Sequence, residues 1–380
     1  MESRRRDPLV SVVLRVHATP PGLLREAIES VLSQRFSDFE FLVVDDASSD
    51  GSVECVKSYG DPRIRLVRNE VNRGQAASLN VGLRLAAGDY IARLDQDDVC
   101  LSERLGRQVE FLDRRLSVGV VGAWTYHIDS RGRKTGLFGK QRLGDYGAFL
   151  GLLLLGMNPV YHSSAMYRRE VAYQVGGYDV NAAPADDYHF WSRFAMHRFS
   201  AGVIEAPLVM IRSHATQQTT VNSAAHLRSL HRAHDRMVAR LSSEEDAQQL
   251  APLLRRENAY WDSRKSAQEV VEALDGLEKL LQRLHRVLKL SSQECSSLAQ
   301  IVYRSIGGSA LAAALRGRRH ALATYRWTCR VTKGRMPLPV MYGLSVVPFL
   351  LSTPEIRRPL SPFGGKLLQL RHGLGLVPCR

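Results

Sequence analysis

This 380-residue chain has few cysteines. Cys55, Cys100, Cys295, Cys329 and Cys379 are scattered, odd in number and form no CxxC pair. That excludes a disulfide framework and the usual spacing of a structural zinc site, and a reducing compartment is expected. No stretch reaches the roughly 18 apolar residues of a membrane span. The nearest approach, Val340 to Leu351, is interrupted by Pro348. The opening MESRRRDPLV has no long apolar run behind its arginines, so a secretory signal is not expected. Also missing are a GxxxxGK[ST] phosphate loop, a GxGxxG after the first strand, an HExxH pair and a GxSxG elbow. Their absence speaks against P-loop phosphoryl transfer, Rossmann dehydrogenases, zincins and α/β-hydrolases.

What is present is an ordinary globular composition, 44% hydrophobic and 24% charged. One compact core holds up to about 250 residues, so a second part is expected. The net charge of +14 is unevenly placed. Residues 1–225 and 226–299 are each nearly balanced, whereas residues 300–380 carry 13 Lys+Arg and a single acid, Glu355. Arginines interleaved there with Tyr325, Trp327, Tyr342 and Phe349 would suit an anionic surface. Phospholipid headgroups, an anionic polymer and nucleic acid all fit, with nucleic acid the least favoured; a merely solvated basic appendage fits as well.

Strand and helix signals alternate through the first hundred residues. Leu9–Leu14, Phe39–Val44, Ile64–Val67 and Tyr90–Leu94 read as buried strands. Residues 23–32 follow helical spacing after the Thr19-Pro20-Pro21-Gly22 start, and Ala76–Ala87 reads as a helix closed by Gly88. Such alternation predicts a mainly parallel sheet covered on both faces. Further on, Val118–Trp124, Ser163–Tyr167 and Ser200–Met210 are strand-like, and Asp186–His197 is helical. From Ala224 the composition is helical in three stretches, 224–241, 243–290 and 291–325. A boundary near Val221 is expected, dividing an α/β part, residues 1–221, from a mostly α-helical, basic part, residues 222–380.

Acidic clusters sit where strands end, the edge at which open α/β sheets bind ligands. Asp45-Asp46 follows the second strand, in VVDDASSDGS. A carboxylate there could accept from a base N–H or a ribose hydroxyl; an Asx turn would use the same letters. Asp95-Gln96-Asp97-Asp98 follows the fourth strand. Carboxylates so close repel one another, which a hard divalent cation relieves while bridging to a diphosphate. Asp186-Asp187 opens a helix, as a general base or as ordinary acids favoured by the helix dipole. His214, after the closing strand, is a candidate metal ligand or phosphate donor. His162-Ser163-Ser164 ranks below these.

Together these segments resemble the family 2 glycosyltransferases. The resembling stretches are VSVVLRVHATPPGLLREAIESVLSQRFSDFEFLVVDDASSDGS, NRGQAASLNVGLRLAAGDYIARLDQDD and GGYDVNAAPADDYHFWSRFA, in order, over residues 8–215. The resemblance implies a GT-A fold and a nucleotide-sugar donor. It places Asp46, with Asp45, at the base-recognising acid, and Asp97 and Asp95 at the DxD pair. Asp97 then looks like the metal ligand and Asp95 a sugar or ribose contact. Asp187 matches the catalytic base, with Asp186 where Glu is common. His214 matches a loop histidine near the phosphates, and Asn72-Arg73-Gly74 a loop bordering the donor. One departure is plain: Pro-x-Tyr-Asn after the first strand is replaced by Arg15-Val16-His17-Ala18, with His17 and Ala18 near the base. The processive QxxRW motif is absent.

The expectation is therefore a Mn²⁺- or Mg²⁺-dependent inverting enzyme that moves a sugar from a nucleoside diphosphate, UDP first among them, to a glycan or lipid-linked saccharide. It would be cytoplasmic, held at a membrane's inner face through residues 300–380. The alternative is a catalytically silent nucleotide-sugar-binding or scaffold protein.

Overall fold

The computed structural model describes residues 7–140, 142–213, 223–257, 260 and 267–315. Four strands open the chain: β1 (Val10–Val16), β2 (Phe39–Asp45), β3 (Ile64–Arg68) and β4 (Tyr90–Leu94). They are parallel and lie in the order β3-β2-β1-β4. The helices between them are α1 (Pro21–Leu32), α2 (Ser52–Lys57) and α3 (Gln75–Leu85). Every residue of β1 is buried, and Val10, Val12, Leu14 and Val16 join a core with Leu24, Ile28 and Val31 of α1. Pro21 stands at the first helical position of α1, where its missing N–H costs nothing.

Helix α3 ends earlier than expected. Its last residue is Leu85 and Ala86 is already extended, so Gly88 does not cap it. Gly88 is needed instead for close approach: a Cβ there would lie 2.6 Å from the backbone nitrogen of Ser11.

After β5 (Val99–Cys100) and α4 (Arg104–Asp113) comes the long strand β6 (Val118–Ile128) with its hairpin partner β7 (Lys134–Phe138). Then follow α5 (Tyr146–Leu154), β8 (Met166–Arg168), α6 (Arg169–Gln174), α7 (Asp186–Met196) and β9 (Ser200–Arg212). The nine-stranded sheet continues from β4 through β8, β6, β9 and β5, with β7 paired to β6. β8 is antiparallel to both β4 and β6, while β6 and β9 are parallel. The sheet as a whole is mixed, because β8, β7 and β5 pair antiparallel, but its parallel β3-β2-β1-β4 half was legible in the strand runs. The short elements α2, α4, β5, β7 and the apolar α5 were not.

The helical stretches resolve into α8 (Ser223–Leu241), α9 (Glu244–Leu254), α10 (Ala267–Val287) and α11 (Ser292–Leu315). The stretch expected over 243–290 is thus two helices, α9 and α10. The first compact unit takes in residues through Arg255 together with Gly276–Val302. The second gathers residues from Arg256 to Asp275 and from Tyr303 onward. α8, which begins beyond Val221, docks on the α/β part within the first unit. Ser229 donates to the carbonyl oxygen of Ala182 at 2.7 Å, and the His234 ring meets the Leu154 carbonyl at 2.7 Å. Ala233, Met237, Val238 and Leu241 are buried. Within the same unit α11 lies against α5, where a Cβ on Gly147 would fall 1.9 Å from the Glu294 carbonyl oxygen. Gly151, one turn on, faces Leu298 and Ile301.

Candidate active site

Strand order reverses about β1, which has β2 on one side and β4 on the other. The crevice beyond the carboxyl ends of these strands is where an open α/β sheet binds its ligand. β1 ends there at Val16 and His17 follows, β2 ends at Asp45-Asp46, and β4 runs into Asp95. The sequence-predicted Asp45, Asp46, His17, Arg73, Asp95 and Asp97 therefore share one edge.

Asp46 is fully buried. Its Oδ1 accepts from Asn69 Nδ2 (2.9 Å) and the Arg73 backbone N–H (2.8 Å). Its Oδ2 accepts from Arg15 Nη2 (2.8 Å), Arg15 Nε (3.2 Å) and the Gly74 N–H (3.0 Å). Burial alone would raise its pKa, but these donors outweigh it and hold the carboxyl below the usual range. Asp45, also buried, accepts from the Ser48 N–H at 3.1 Å and pairs with Arg68 Nε at 3.2 Å. Both acids thus bind their own chain, and Asp46 fixes the 72–74 loop to β1.

His17 is tied at both ring nitrogens, Nδ1 to the Asp46 carbonyl (2.9 Å) and Nε2 to Asn72 Nδ2 (3.0 Å). Asn72 Oδ1 accepts from Gly74, so its amide donates to Nε2, which selects the tautomer with the proton on Nδ1. Gln96 clamps the backbone of His17 from β4, accepting from its N–H at 2.7 Å and donating to its C=O at 3.2 Å.

Asp95 pairs with Arg93 Nη2 at 2.5 Å, and its backbone N–H donates to Ser163. Burial opposes its charge, but Arg93 prevails and keeps the carboxyl low. Arg93 is 1% exposed, and its Nε and Nη1 have no hydrogen-bond partner among the described residues. Asp97 is half-buried, and its carbonyl accepts from Arg212 Nε at 3.1 Å. Asp98 is buried and accepts from the Arg212 N–H at 2.8 Å. Burial, then Asp97 and Asp95, push its pKa well up.

Across the crevice α7 brings Asp186 and Asp187. Asp186 is buried and accepts from Gln75 at 3.3 Å, a link to α3 just past the 72–74 loop. Asp187 accepts from Asn158 Nδ2 at 2.6 Å and from the Tyr188 N–H at 2.7 Å. Burial first and Asp186 second raise its pKa to about 7. His162 pairs with the Tyr178 hydroxyl at 3.0 Å, and burial, then Arg93, lower its pKa to about 4. His214 lies outside the described residues, as does nearly all of the basic segment.

Sequence reasoning gave no role to Arg93, Asn158 or Gln75, noted Arg212 only as the start of the His214 segment, and did not see the partnership of Arg15 with Asp46. Arg93 and Arg212 sit inside strands, where an arginine reads as an interruption. Asn158 carries no motif, and Gln75 lies in the NRGQAASLN stretch without a role of its own.

The family model described as glycosyl transferase family 2 matches residues 11–176. An uncharacterised glycosyltransferase of Methanocaldococcus jannaschii is 31% identical over 210 residues, 54% of this chain and 71% of that protein. EpsE of Bacillus subtilis, named a putative glycosyltransferase, is 33% identical over 217 residues, 54% of this chain and 73% of EpsE. The chain belongs to glycosyl transferase family 2. The Escherichia coli member WfgD, a UDP-Glc:alpha-D-GlcNAc-diphosphoundecaprenol beta-1,3-glucosyltransferase, is 36% identical over 106 residues, 28% of this chain and 42% of WfgD. Among solved structures, S. aureus TarS 1-349 in complex with UDP-GlcNAc superposes with a TM-score of 0.53 at 15% identity, over 84% of this chain and 91% of TarS 1-349. That likeness shows the GT-A fold of this family 2 chain.

Proposed function

We propose that this glycosyltransferase moves a sugar from a UDP-sugar to a hydroxyl of a lipid-linked or glycan acceptor, by one displacement with inversion. The observation that carries the reading is Asp187. It faces the donor edge from α7, is held by Asn158, and has a pKa near the pH at which a general base works best. Asp187 takes the acceptor hydroxyl's proton as that oxygen bonds to the anomeric carbon. The bond to the nucleoside diphosphate breaks, and the diphosphate leaves with its electron pair. The UDP-GlcNAc complex of TarS and the UDP-Glc donor and diphosphoundecaprenol acceptor in the name of WfgD support these substrate classes.

The donor set suits a divalent cation. Among the described residues no three His, Cys, Asp or Glu side chains gather as a metal site. Asp97 at the strand end would supply one ligand and His214 another. That fits Mg²⁺ or Mn²⁺, which take one or two protein ligands and fill the rest with phosphate and water. The crowded carboxylates that push Asp98 up are charge such an ion relieves. When bound it would offset charge on the departing diphosphate. Asp95 would then meet the donor sugar or ribose, and Arg73 the donor from its loop.

Calorimetric titration of UDP with Mn²⁺, followed by turnover of UDP-sugars, tests the reading. Metal-dependent binding lost in Asp97→Ala, with turnover lost but binding kept in Asp187→Asn, is expected. Unchanged turnover in Asp187→Asn would leave the silent, nucleotide-sugar-binding alternative standing.

A further inference from the structure

Two short segments place Asp187. The loop 179–185 leads into α7 just before it, and the chain leaving α5 through Gly156 brings Asn158, whose amide donates to its carboxylate at 2.6 Å. The helices they join are bonded to each other, since the Tyr188 hydroxyl of α7 donates to the Leu153 carbonyl of α5 at 2.6 Å. Neither segment belongs to α8, yet α8 holds both.

On the first segment, the buried Ser229 hydroxyl lies 2.7 Å from the Ala182 carbonyl oxygen and 3.0 Å from that of Ala183. The Ala182 carbonyl also accepts from the Ala185 N–H at 2.9 Å, closing the turn that ends at Asp186. His226 Nδ1 donates to the Pro184 carbonyl at 3.1 Å. On the second, the fully buried His234 donates from Nε2 to the Leu154 carbonyl at 2.7 Å and accepts at Nδ1 from Arg255 Nη1 at 3.1 Å. The Arg255 stem lies against Gly156, where an added Cβ would stand 3.3 Å from its Cγ. Docking alone would need only the apolar contacts of Ala233, Met237, Val238 and Leu241. The polar side chains Ser229, His226 and His234 end instead on main-chain carbonyls shortly before Asp187 and Asn158.

We propose that α8 is a positioning element for the base, with Ser229, His226 and His234 as positioning residues that fix where Asp187 and Asn158 stand. The inference rests on the reading of Asp187 given above. These residues act through the main chain of α7 and of the segment after α5, so the nucleotide edge formed by β1, β2 and β4 is outside their reach. A misplacement of about 1 Å at the reacting groups can cost about 10²-fold in rate.

The test uses the full chain and two readouts. The first is the titration of Asp187, followed by NMR of carboxyl-labelled aspartate and assigned with Asp187→Asn. The second is UDP release from UDP-GlcNAc and UDP-glucose. Asp186 on α7 and Asp95 at the end of β4 act on Asp187 by charge and are unchanged in every variant. In Ser229→Ala, Asp187 should titrate about half a unit or more above wild type as the Asn158 donor shifts away from it. Turnover at pH 7 should fall about tenfold, with UDP affinity in Mn²⁺ held within about twofold. Ser229→Thr, which keeps the hydroxyl, should restore both readouts. His234→Gln, which keeps an N–H near the Nε2 position, should likewise stay close to wild type where His234→Leu does not. A merely structural α8 would lower the Tm and leave the Asp187 titration where it was, and that result in folded Ser229→Ala overturns the proposal. Should Ser229→Ala not fold, His226→Leu, at a half-buried site, carries the same expectation and the same overturning result. A wild type that releases no UDP from either donor, with the Asp187 shift present in the variants, overturns the UDP-sugar reading and leaves the placement of Asp187 by α8 supported.

Discussion

With Asp187 as the proposed general base, its environment would set the pH at which the site works. Its raised pKa of about 7 predicts that kcat/KM climbs with pH to a plateau above about 7. The Asn158 hydrogen bond pulls that pKa down, so Asn158→Ala should move the rising limb to higher pH, visible in a pH–rate profile. Asp187→Asn should lower kcat by about 10²- to 10⁴-fold, the usual worth of a positioned general base. Stability has the opposite sign. A carboxyl whose folded pKa exceeds its unfolded value destabilises the fold increasingly as pH rises from about 4 to about 7. The Tm of Asp187→Asn relative to wild type should therefore be higher at pH 8 than at pH 5. A second residue-scale effect is at Ala18, exposed with φ +49°. Asn tolerates that left-handed conformation better than Ala does. Ala18→Asn should stabilise by about 0.5–1 kcal/mol, read from chemical denaturation. Asp45 and Asp46 were legible because they end the apolar run Phe39–Val44, and Asp95 because it ends Tyr90–Leu94, both readable as buried strands; Asp186 and Asp187 were legible only as acids at a helix start. What they bind was not, since the donors to Asp46 come from three separate segments: Arg15, Asn69 and the 73–74 backbone.

At the scale of elements, α5 decides how the later helices attach. Its run YGAFLGLLL is apolar on every side, so it shows no helical alternation, and the sequence gives no clear helix there. Burial all round explains this: Tyr146, Phe149, Leu150, Leu153 and Leu154 are all enclosed. Gly147 and Gly151 make the strip on which α11 rests. A methyl at Gly147 would strike backbone at 1.9 Å, where no rotamer change can relieve it. Gly147→Ala should cost about 1–3 kcal/mol, measurable as a fall in Tm, with the nucleotide affinity of the surviving folded protein unchanged. Gly147 and Gly88 share a lesson. Both are glycines for close approach, which no local pattern of residues announces.

For the whole molecule, the attachment of α8 to the α/β part predicts how truncations behave. A chain ending at Thr220 would uncover the surface that meets Ala233, Met237 and Val238, and should melt lower than one ending at Leu315 or aggregate. The chain ending at Leu315 lacks most of the basic segment. If that segment holds the enzyme to anionic lipid, full-length protein should sediment with phosphatidylglycerol vesicles and the shortened one should not. One last consequence concerns synthesis. β1 to β4 are complete once Leu94 has been made, but β8, the partner on the far side of β4, is not made until Arg168. At roughly 5–20 residues per second the ribosome takes several seconds to close that gap. Meanwhile β4 is an open sheet edge, the kind of surface on which nascent chains stick to one another. Arg93, the fourth of that strand's five residues, is an inward-pointing charge of the kind that discourages edge-to-edge pairing. The arginine that steadies Asp95 in the finished enzyme also guards the unfinished one.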